Sequence, residues 1–235
     1  MIATIVITNY NYDKYIGRCI RSCLNQSISQ LYEVILIDDN SKDNSIRVAE
    51  EFKNFKNFKI IKNKKNIGVA AAANIGFKKA KGKYVVRIDS DDYVSKNFLY
   101  FLIYYLKENP KILGVACDYT LINDNEKAIK RVSAISEPIA CGILYNKSKL
   151  SKYGFYNKNF RHREEEELKA RIGKNYNIGY LEIPLYRYRM HSTNKTKSND
   201  YINIFKNRIS KIYQKQILKN TKSNSKKKNI IAIIP

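Results

Sequence analysis

The first 89 residues alternate short apolar, β-branched segments with longer amphipathic ones, and this alternation constrains the fold more than any other feature of the chain. The apolar segments have the length and composition of β-strands, and the amphipathic segments repeat their apolar residues at helical spacing. The predicted strands are 3–7, 33–37, 58–61 and 84–88, and the predicted helices are 14–24, 44–52 and 66–80. Strands connected by helices in this way form a mostly parallel, Rossmann-like sheet, so we expect an α/β fold.

The second half of the chain departs from this alternation. A strongly apolar helix is predicted from Phe98 to Leu106, and another helix begins near Glu164. Between and after them lie short strand-like segments, which we expect to be antiparallel additions to the sheet: 112–118, 128–132, 139–145 and 181–188. A polar turn is expected at 120–127. Local cues predict helix caps at Asp13 and Ser95 and a helix-ending glycine at Gly82.

From residue 195 onward eleven basic residues accompany a single acid, Asp200. We therefore divide the chain into a domain at 1–194, a basic amphipathic helical extension at 195–220, and a linker at 221–235 that leads into a truncated second domain. The apolar stripe of the extension predicts a helix that either docks on its own domain or lies on an anionic membrane surface. Docking is the commoner arrangement for such a helix.

Composition excludes several classes of protein. No Gly-x-Gly-x-x-Gly motif follows the first strand and no P-loop is present, which disfavours a dinucleotide-binding domain and a kinase-like NTPase. No apolar run approaches the length of a membrane span and no signal peptide is visible, so we expect a cytoplasmic location. Peripheral contact with the inner face of the plasma membrane is compatible with that location. The four cysteines lack zinc-like spacing and are expected to be buried small hydrophobes.

The formal net charge of +23 favours anionic partners, although abundant lysine, asparagine, isoleucine and tyrosine indicate that part of it is compositional bias. Nucleotides, acidic glycans, anionic lipids and nucleic acid all fit such a charge. The lysines concentrate in the tail and on helix surfaces, without the aromatic and basic platform of an RNA-binding sheet. A nucleic-acid-binding module is therefore the weaker alternative, and we expect no nucleic-acid partner.

Three carboxylates are concentrated in the segment Arg87-Ile88-Asp89-Ser90-Asp91-Asp92, directly after a predicted buried strand. Open α/β sheets bind their ligands at the carboxyl ends of strands. Anions this close repel one another unless a cation shares them, and Mg²⁺ or Mn²⁺ bound by carboxylates and substrate phosphates is the obvious candidate. The alternative is that the acids cap the following helix, and spacing alone gives the two interpretations equal weight.

Three further motifs accompany this one. Thr8-Asn9-Tyr10-Asn11 follows the first strand, Asp38-Asp39-Asn40-Ser41-Lys42-Asp43-Asn44-Ser45 follows the second, and Asn66-Ile67-Gly68 precedes Asn74-Ile75-Gly76 in the third helical segment. In this order and at this spacing the four motifs resemble those of family 2 glycosyltransferases with the GT-A fold. Each motif alone is weak evidence for this family, whereas the four motifs together are strong evidence. The resemblance runs from Ile2 to about Asn194, so it implies a GT-A domain over 1–194.

The resemblance implies a nucleotide-sugar donor, with UDP as the nucleotide on family frequency and CMP-sugars left open. It assigns donor binding to one group of residues: Thr8, Tyr10, Asp39, Asn66, Asn74 and Asp89. It assigns a Mn²⁺ or Mg²⁺ ion to a second group, in which Asp91 is the expected direct ligand: Asp91, Asp89, Asp92 and His191. Asp92 is also the acid expected to serve the following helix.

Several of these residues have a structural interpretation as well. Asp39, Asp38 and Asp43 fit turn-forming side chains in a loop. Tyr10 fits a packing tyrosine in a chain with 19 tyrosines, and Asn74 fits a helix-packing role. His191 also fits a solvent-exposed loop histidine.

The family commonly has Glu-Asp at the start of a late helix, followed by an arginine. Alignment on Leu168 and Arg171 places Glu164 and Glu165 in that slot, so Glu165 takes the position of the catalytic base. Neighbouring acids would raise one carboxyl pKa toward the range useful for accepting a proton. The alternative is an acidic first helical turn that the helix macrodipole favours.

Taken together, the motifs predict an inverting, metal-dependent transfer of a sugar to a hydroxyl of a glycan or lipid-linked glycan in bacterial surface polysaccharide or lipo-oligosaccharide synthesis. The runner-up is a sugar-phosphate nucleotidyltransferase, which would normally carry a glycine-rich loop where this chain has 8–12. The terminal residues 230–235 resemble the opening strand of CMP-sugar synthetases, which would make the chain part of a longer two-enzyme protein; the alternative is a plain terminal strand.

Overall fold

The computed structural model of the protein describes residues 1–160, 163–191 and 207–213. Its strands are β1 Ala3–Asn9, β2 Tyr32–Asp38, β3 Phe58–Lys62, β4 Tyr84–Asp89, β5 Tyr93–Val94, β6 Gly114–Ile122, β7 Ala128–Val132, β8 Leu144–Asn146 and β9 Ile178–Arg189. Its helices are α1 Asp13–Leu24, α2 Ser45–Glu50, α3 Val69–Lys79, α4 Phe98–Glu108, α5 Lys147–Ser151 and α6 Glu164–Ile172, with a 3₁₀ turn at Gly173–Asn175.

The strands form one nine-stranded sheet in the order β3-β2-β1-β4-β8-β6-β9-β5, with β7 paired to β6. In its first half β1 pairs in parallel with β2 and β4, and β2 pairs in parallel with β3. The register sets Thr8 beside Asp89 and Asn9 beside Asp38, so the carboxyl ends of these strands meet at one edge. This half confirms the predicted parallel α/β arrangement.

The second half adds mainly antiparallel strands, as predicted. β8 joins β4 to β6, β7 pairs with β6, and β5 pairs with β9, all in antiparallel fashion. The pairing of β6 with β9 is parallel and carries a register shift between Cys117 and Tyr119. β9 ends at Arg189, and His191 then lies beside Asp91 at the edge of the sheet where β4 ends.

Alternate side chains of each central strand serve two different cores. Ile5 and Ile7 belong to a cluster with α1, α2 and α4, whereas Val6 belongs to a cluster with α3 and α6. The sheet is therefore covered on both faces, which explains why its parallel strands are nearly continuous apolar runs. All four cysteines are free and buried, as expected.

The predicted bounds were wrong in the second half of the sheet. β6 continues to Ile122, through the start of the predicted turn, because it pairs there with both β7 and β9. Only the end of the predicted 139–145 strand is regular, at Leu144–Asn146. The two-residue β5 and the short α5 carry too few residues for a periodic pattern and were not predicted.

The predicted helix-terminal residues have other roles. Asp13 is the first residue of α1, whose N-cap is Tyr12, and its carboxylate accepts a hydrogen bond from the Asn44 amide at 3.2 Å. The N-cap of α4 is Asn97 rather than Ser95. Gly82 lies beyond the end of α3, whose C-cap is Ala80, and its amide donates to Thr4 Oγ1 at 2.9 Å.

The part of the predicted tail that the structure describes is helical at 207–213 and contacts α6. Ile209 is buried in a small cluster with Phe160 and Ala170, and the Tyr213 hydroxyl donates to Glu167 at 2.7 Å. These contacts favour the docked alternative for this segment. The remainder of the predicted extension, the linker and the strand at 230–235 lie outside the described residues. Among the described residues, no helix is both long and apolar enough to cross a bilayer.

The close approach of Gly82 to β1 gives a test of the packing. A Cβ at Gly82 would meet the Ala3 carbonyl carbon and lie 2.5 Å from the Thr4 amide nitrogen, both of which are backbone atoms. We expect Gly82→Ala to lower the free energy of unfolding by about 1–3 kcal/mol, because the strand cannot move aside. Gly17→Ala, whose Cβ would lie 3.2 Å from a Val48 methyl group, is the matched control.

Chemical denaturation of both variants measures the difference. The control should stay within about 1 kcal/mol of the parent chain, because the gain in helix propensity offsets the mild crowding. Equal stabilities for the two variants would contradict this account of Gly82.

Candidate active site

The carboxyl ends of β1 and β4 bring the first predicted site residues together. Thr8 Oγ1 donates to Asp89 Oδ1 at 3.2 Å, as their register in the sheet requires. Tyr10 follows β1 and is 37% exposed, so its ring is accessible at this edge. The sheet therefore brings Thr8 and Asp89 together at this edge, with Tyr10 directly after β1.

Asp39 is buried and anchors the neighbouring loop. Its carboxylate accepts hydrogen bonds from Asn63 Nδ2 at 2.8 Å and from the amides of Ile67 and Gly68 at 3.0 and 2.7 Å. Asn66 is exposed within the loop that these bonds hold. A nucleotide that contacts Asp39 would therefore bind a carboxylate that already accepts several hydrogen bonds from the protein.

Asp38 and Asp43 are turn-forming residues, as the structural interpretation predicted. Asp38 accepts from the Ser41 amide at 3.0 Å and from the Ser41 hydroxyl at 2.6 Å. Asp43 accepts from the Ser45 amide at 3.0 Å and from the Asp13 amide at 2.9 Å. These bonds tie the loop after β2 to the start of α1, so they shape the edge on which Asp39 lies.

Asn74 has the structural role that the sequence left open. Its Nδ2 donates to the Tyr156 carbonyl at 2.7 Å, and its Oδ1 accepts from the Tyr156 amide at 3.0 Å. The side chain thus mimics a strand partner and fastens α3 to the segment before α6. Its assignment as a donor-binding residue stays a prediction, in which the second N–H or the second lone pair of the amide would contact the donor.

His191 lies against Asp91 and is buried. Its Nε2 is 2.9 Å from Asp91 Oδ2, and its ring lies 5.2 Å from the Tyr15 ring in a stacked arrangement and 5.6 Å from the Tyr12 ring. The interpretation as an exposed loop histidine is therefore wrong. An imidazole nitrogen beside a carboxylate oxygen is a donor set that suits Mn²⁺ and, through oxygen, Mg²⁺.

Asp92 does not serve the following helix, in contrast to the prediction. Its carboxylate accepts from the Arg189 amide at 2.8 Å and from the Tyr186 hydroxyl at 2.7 Å, both on β9. Burial and the charges of Asp91 and Asp89 raise the pKa of Asp92. Asp92 therefore holds β9 against the turn, and none of the three acids is the N-cap of α4.

One further group in the described part of the chain has metal-ligand spacing. Ligand atoms of Asp89, Asp92 and Cys141 all lie within 4.8 Å of one another. The carboxylates suit a hard cation, whereas a thiol suits a softer one. Asp92 is already hydrogen-bonded to β9 and Asp89 already pairs with Arg87 and Thr8, so a bound cation would share these carboxylates with their protein partners.

Arg189 is a site residue that the sequence prediction missed. Its Nε donates to the Asp91 carbonyl at 2.9 Å, its Nη1 to the Asp124 carbonyl at 3.1 Å, and its Nη2 to Glu126 at 3.1 Å. The guanidinium carbon also lies 4.8 Å from the Tyr15 ring centroid. Arg189 thus joins the acidic turn, the β6–β7 loop and α1. The feature of the sequence that could have identified Arg189 is the element Arg189-Met190-His191, in which only the histidine had been assigned a role.

Arg87 is a second missed residue, and it joins the acidic turn to the start of α6. Its side chain is 3% exposed and forms ion pairs with Asp89, at 3.1 Å, and with buried Glu164. The Asp89 and Glu164 charges raise the pKa of Arg87 despite its burial. An arginine inside an apolar strand was the signal in the sequence, because buried charges require partners.

Glu165 faces a different environment from Glu164. It is 7% exposed and accepts a hydrogen bond from the Tyr176 hydroxyl at 2.5 Å. Burial raises the pKa of Glu165, and the Tyr176 hydrogen bond partly opposes this. Glu165 lines a small cavity together with Cys141 and Tyr180. The two glutamates therefore have different partners: Glu164 pairs with the Arg87 guanidinium, and Glu165 accepts a hydrogen bond from the neutral Tyr176 hydroxyl.

Residues 4–172 match the model of the family described as "Glycosyl transferase family 2". The chain belongs to glycosyltransferase family 2. It therefore carries a glycosyltransferase domain, and the family match confirms the resemblance on which the site was predicted.

Relatives among known proteins agree with this family. The chain is 37% identical over 120 residues to chondroitin synthase of Escherichia coli, covering 51% of this chain and 17% of that protein. It is 25% identical over 196 residues to glycosyltransferase GlyA of Streptococcus pneumoniae serotype 4, covering 78% of this chain and 28% of that protein. The chain thus spans less than a third of the length of these relatives.

Solved structures agree on the fold. S. aureus TarS 1-349 in complex with UDP-GlcNAc superposes with a TM-score of 0.75 at 19% identity, covering 93% of this chain and 67% of that one. The same protein in complex with UDP gives a TM-score of 0.69 at 21% identity, covering 81% and 61%. These similarities confirm the GT-A-like architecture.

The buried pairing of Arg87 makes a prediction about stability. Arg87→Met leaves Glu164 without its buried cation, so we expect a loss of about 3–5 kcal/mol in the free energy of unfolding. The double variant Arg87→Met with Glu164→Met should recover a large part of that loss, because no uncompensated carboxylate is then buried at α6. Chemical denaturation of the three chains provides the comparison, and a double variant less stable than Arg87→Met would contradict it.

Proposed function

We propose that the chain is an inverting, metal-dependent glycosyltransferase that moves a sugar from a UDP-sugar to an acceptor hydroxyl in bacterial surface glycan synthesis. The observation that carries the proposal is the bridge made by Arg87, which ion-pairs with both Asp89 and Glu164. In an inverting transfer, the metal ion and the carboxylate base lie on opposite sides of the reacting carbon. The Arg87 bridge holds the acidic turn, which would supply the metal ligands, close to the start of α6, which would supply the base.

The donor would lie at the edge formed by β1, β2 and β4. The proposed binding set is Thr8, exposed Tyr10, the loop that Asp39 anchors with Asn66, Asn74 and Asp89. UDP is supported as the nucleotide by the TarS structures that contain UDP and UDP-GlcNAc and share this fold. The tyrosine ring is suited to stack on a base, and the loop amides and hydroxyls are suited to hold ribose.

Asp91 and His191 would hold the metal ion, with Asp89 as the second carboxylate. Bound there, Mn²⁺ or Mg²⁺ would neutralise charge on the departing nucleoside diphosphate. Asp92 and Arg189 contribute by fixing the turn, since one accepts from β9 and the other donates to the Asp91 carbonyl.

Glu165 would act as the general base. It takes the proton of the acceptor hydroxyl as the acceptor oxygen bonds to the anomeric carbon and the bond from that carbon to the diphosphate oxygen breaks. Attack from the face opposite the leaving group inverts the anomeric centre. Burial raises the pKa of Glu165, which strengthens it as a base relative to an exposed carboxylate.

The acceptor would be a glycan or lipid-linked glycan, and the relatives named as chondroitin and hyaluronan synthases support a polysaccharide product. A cytoplasmic location with peripheral contact at the inner membrane face would suit such an acceptor. No observation favours the alternative of a sugar-phosphate nucleotidyltransferase.

Substitution of the two chemical centres tests the proposal. We expect Asp91→Ala and Glu165→Gln each to lower kcat/KM for sugar transfer by roughly 100-fold or more, because the first removes a metal ligand and the second removes the base. Glu166→Gln is the matched control: its carboxylate is more exposed and pairs with Arg163 within the same helical turn. Transfer from UDP-sugars with Mn²⁺ measures all three, and full activity of Asp91→Ala or Glu165→Gln would overturn the assignment.

Tyr176 gives a test with a defined sign in pH. Its hydroxyl donates to Glu165 and stabilises the charged form, so Tyr176→Phe should raise the pKa of Glu165 further. A base is lost as pH falls through its pKa, so the acid limb of the kcat/KM profile should move upward by about one pH unit. The other titratable groups that influence Glu165 or are influenced by it are Lys169, Glu164, Arg87, Arg163, Tyr145, Tyr156 and Tyr180.

Tyr180→Phe is the control for this experiment, because Tyr180 lines the same cavity without a hydrogen bond to Glu165. The acid limb of the kcat/KM profile of Tyr180→Phe should lie at the same pH as that of the parent chain. If Tyr176→Phe lowers activity equally at every pH, the tyrosine has only a structural role.

A further inference from the structure

A second recess lies apart from the candidate active site, between α1, the end of α2 and the segment that contains β5. Its volume is about 640 Å³, which is within the range of ligand-binding clefts. It is lined by one set of residues from four parts of the chain: Arg18, Arg21, Ser22, Leu24, Asn25, Phe52, Phe55, Tyr93, Val94, Ser95, Lys96 and Arg187. We call it the α1 groove.

The charged residues in the lining of the α1 groove are all cationic. Arg18 forms an ion pair at its rim with Glu126, at 3.2 Å. Among the described residues, Arg21, Lys96 and Arg187 form no salt bridge with a carboxylate. The groove therefore offers concentrated positive charge that the folded domain itself leaves largely uncompensated.

Aromatic rings lie against two of these cations. The Arg18 guanidinium lies 4.2 Å from the Tyr93 ring centroid, and the Arg21 guanidinium lies 5.7 Å from the Phe52 ring centroid. Phe55 is 51% exposed at the same recess. Guanidinium groups held over rings bind carboxylates with fixed geometry, and flat rings contact the apolar face of a sugar.

The position of the α1 groove relates it to the candidate site. Tyr93 directly follows Asp92, and β5 pairs with β9 so that Tyr93 lies opposite Arg187. From this end the groove extends along the exposed side of α1 toward Asn25. A chain-like ligand bound in it would therefore begin beside the acidic turn and run away from it.

We propose that the α1 groove binds an anionic glycan, that is, a sugar chain bearing carboxylates. The cations of the lining can pair with the carboxylates of such a ligand, and the exposed Phe55 ring can contact the apolar face of a sugar. An anionic membrane is the less suitable occupant, because the cations line a recess and two of them lie over rings instead of extending outward to a flat surface. The site is additional to the proposed transfer chemistry and does not require it.

The test measures binding of an oligogalacturonate hexamer to the whole chain by calorimetry, with maltohexaose as the neutral sugar of equal length. No donor or metal is added, so the result is independent of transfer activity. The variant Arg21→Glu with Lys96→Glu reverses two cations of the α1 groove. The control Lys78→Glu with Lys152→Glu makes the same charge change at exposed lysines elsewhere on the surface.

We expect the parent chain to bind the hexagalacturonate and not maltohexaose. The groove variant should bind it roughly tenfold or more weakly, and the control variant within about twofold of the parent. Affinity should fall with added salt, because charged contacts are screened. Thermal melting of each variant confirms that the fold is kept.

Three results would overturn the proposal. The first is equal weakening in both variants, which would assign binding to the overall charge of the chain. The second is no binding of the hexagalacturonate by the parent. The third is binding of phosphatidylglycerol vesicles that the groove variant loses while it keeps the hexagalacturonate, which would assign the groove to a membrane.

Discussion

The ion-pair bridge of Arg87 is the interaction on which the site depends. A guanidinium buried inside a central strand is costly to desolvate, and it is retained only where carboxylates surround it. Asp89 provides one from the strand's own end, and Glu164 provides the other from a helix 77 residues later in the chain. The start of α6 is therefore fixed relative to β4, and Glu165, the next residue, takes its position from the same pairing.

A second long-range contact fixes the acidic turn from its other side. β9 returns to the sheet edge, where its amide and the Tyr186 hydroxyl bind Asp92, and Arg189 binds the Asp91 carbonyl. These bonds explain why three neighbouring acids have three different environments. Asp92 holds the strand, Asp89 pairs with Arg87, and Asp91 lies beside His191. Each of the three carboxylates therefore has a separate partner within the protein.

The first half of the fold was predictable because its pattern is local. Each strand from Ala3 to Asp89 is an apolar run, and each crossover helix has its own periodicity, so the parallel direction of the strands followed from the connection rules. The second half was predicted less well because its bounds depend on pairing. β6 extends to Ile122 only because β7 and β9 hydrogen-bond to it there, and β5 has two residues that are strand only as partners of β9.

The sequence by itself determined the α/β class, the order of the motifs and the family, since each rests on residue type and spacing along the chain. It also placed the acids at a strand end and the glutamates at a helix start. Only the tertiary structure decided what each side chain does there. Asn74 fastens a backbone segment, His191 is buried against Asp91, Asp92 holds β9, and Tyr176 reaches Glu165, because hydrogen-bond partners distant in sequence are set by how the elements pack. No local pattern among nineteen tyrosines could have selected Tyr176.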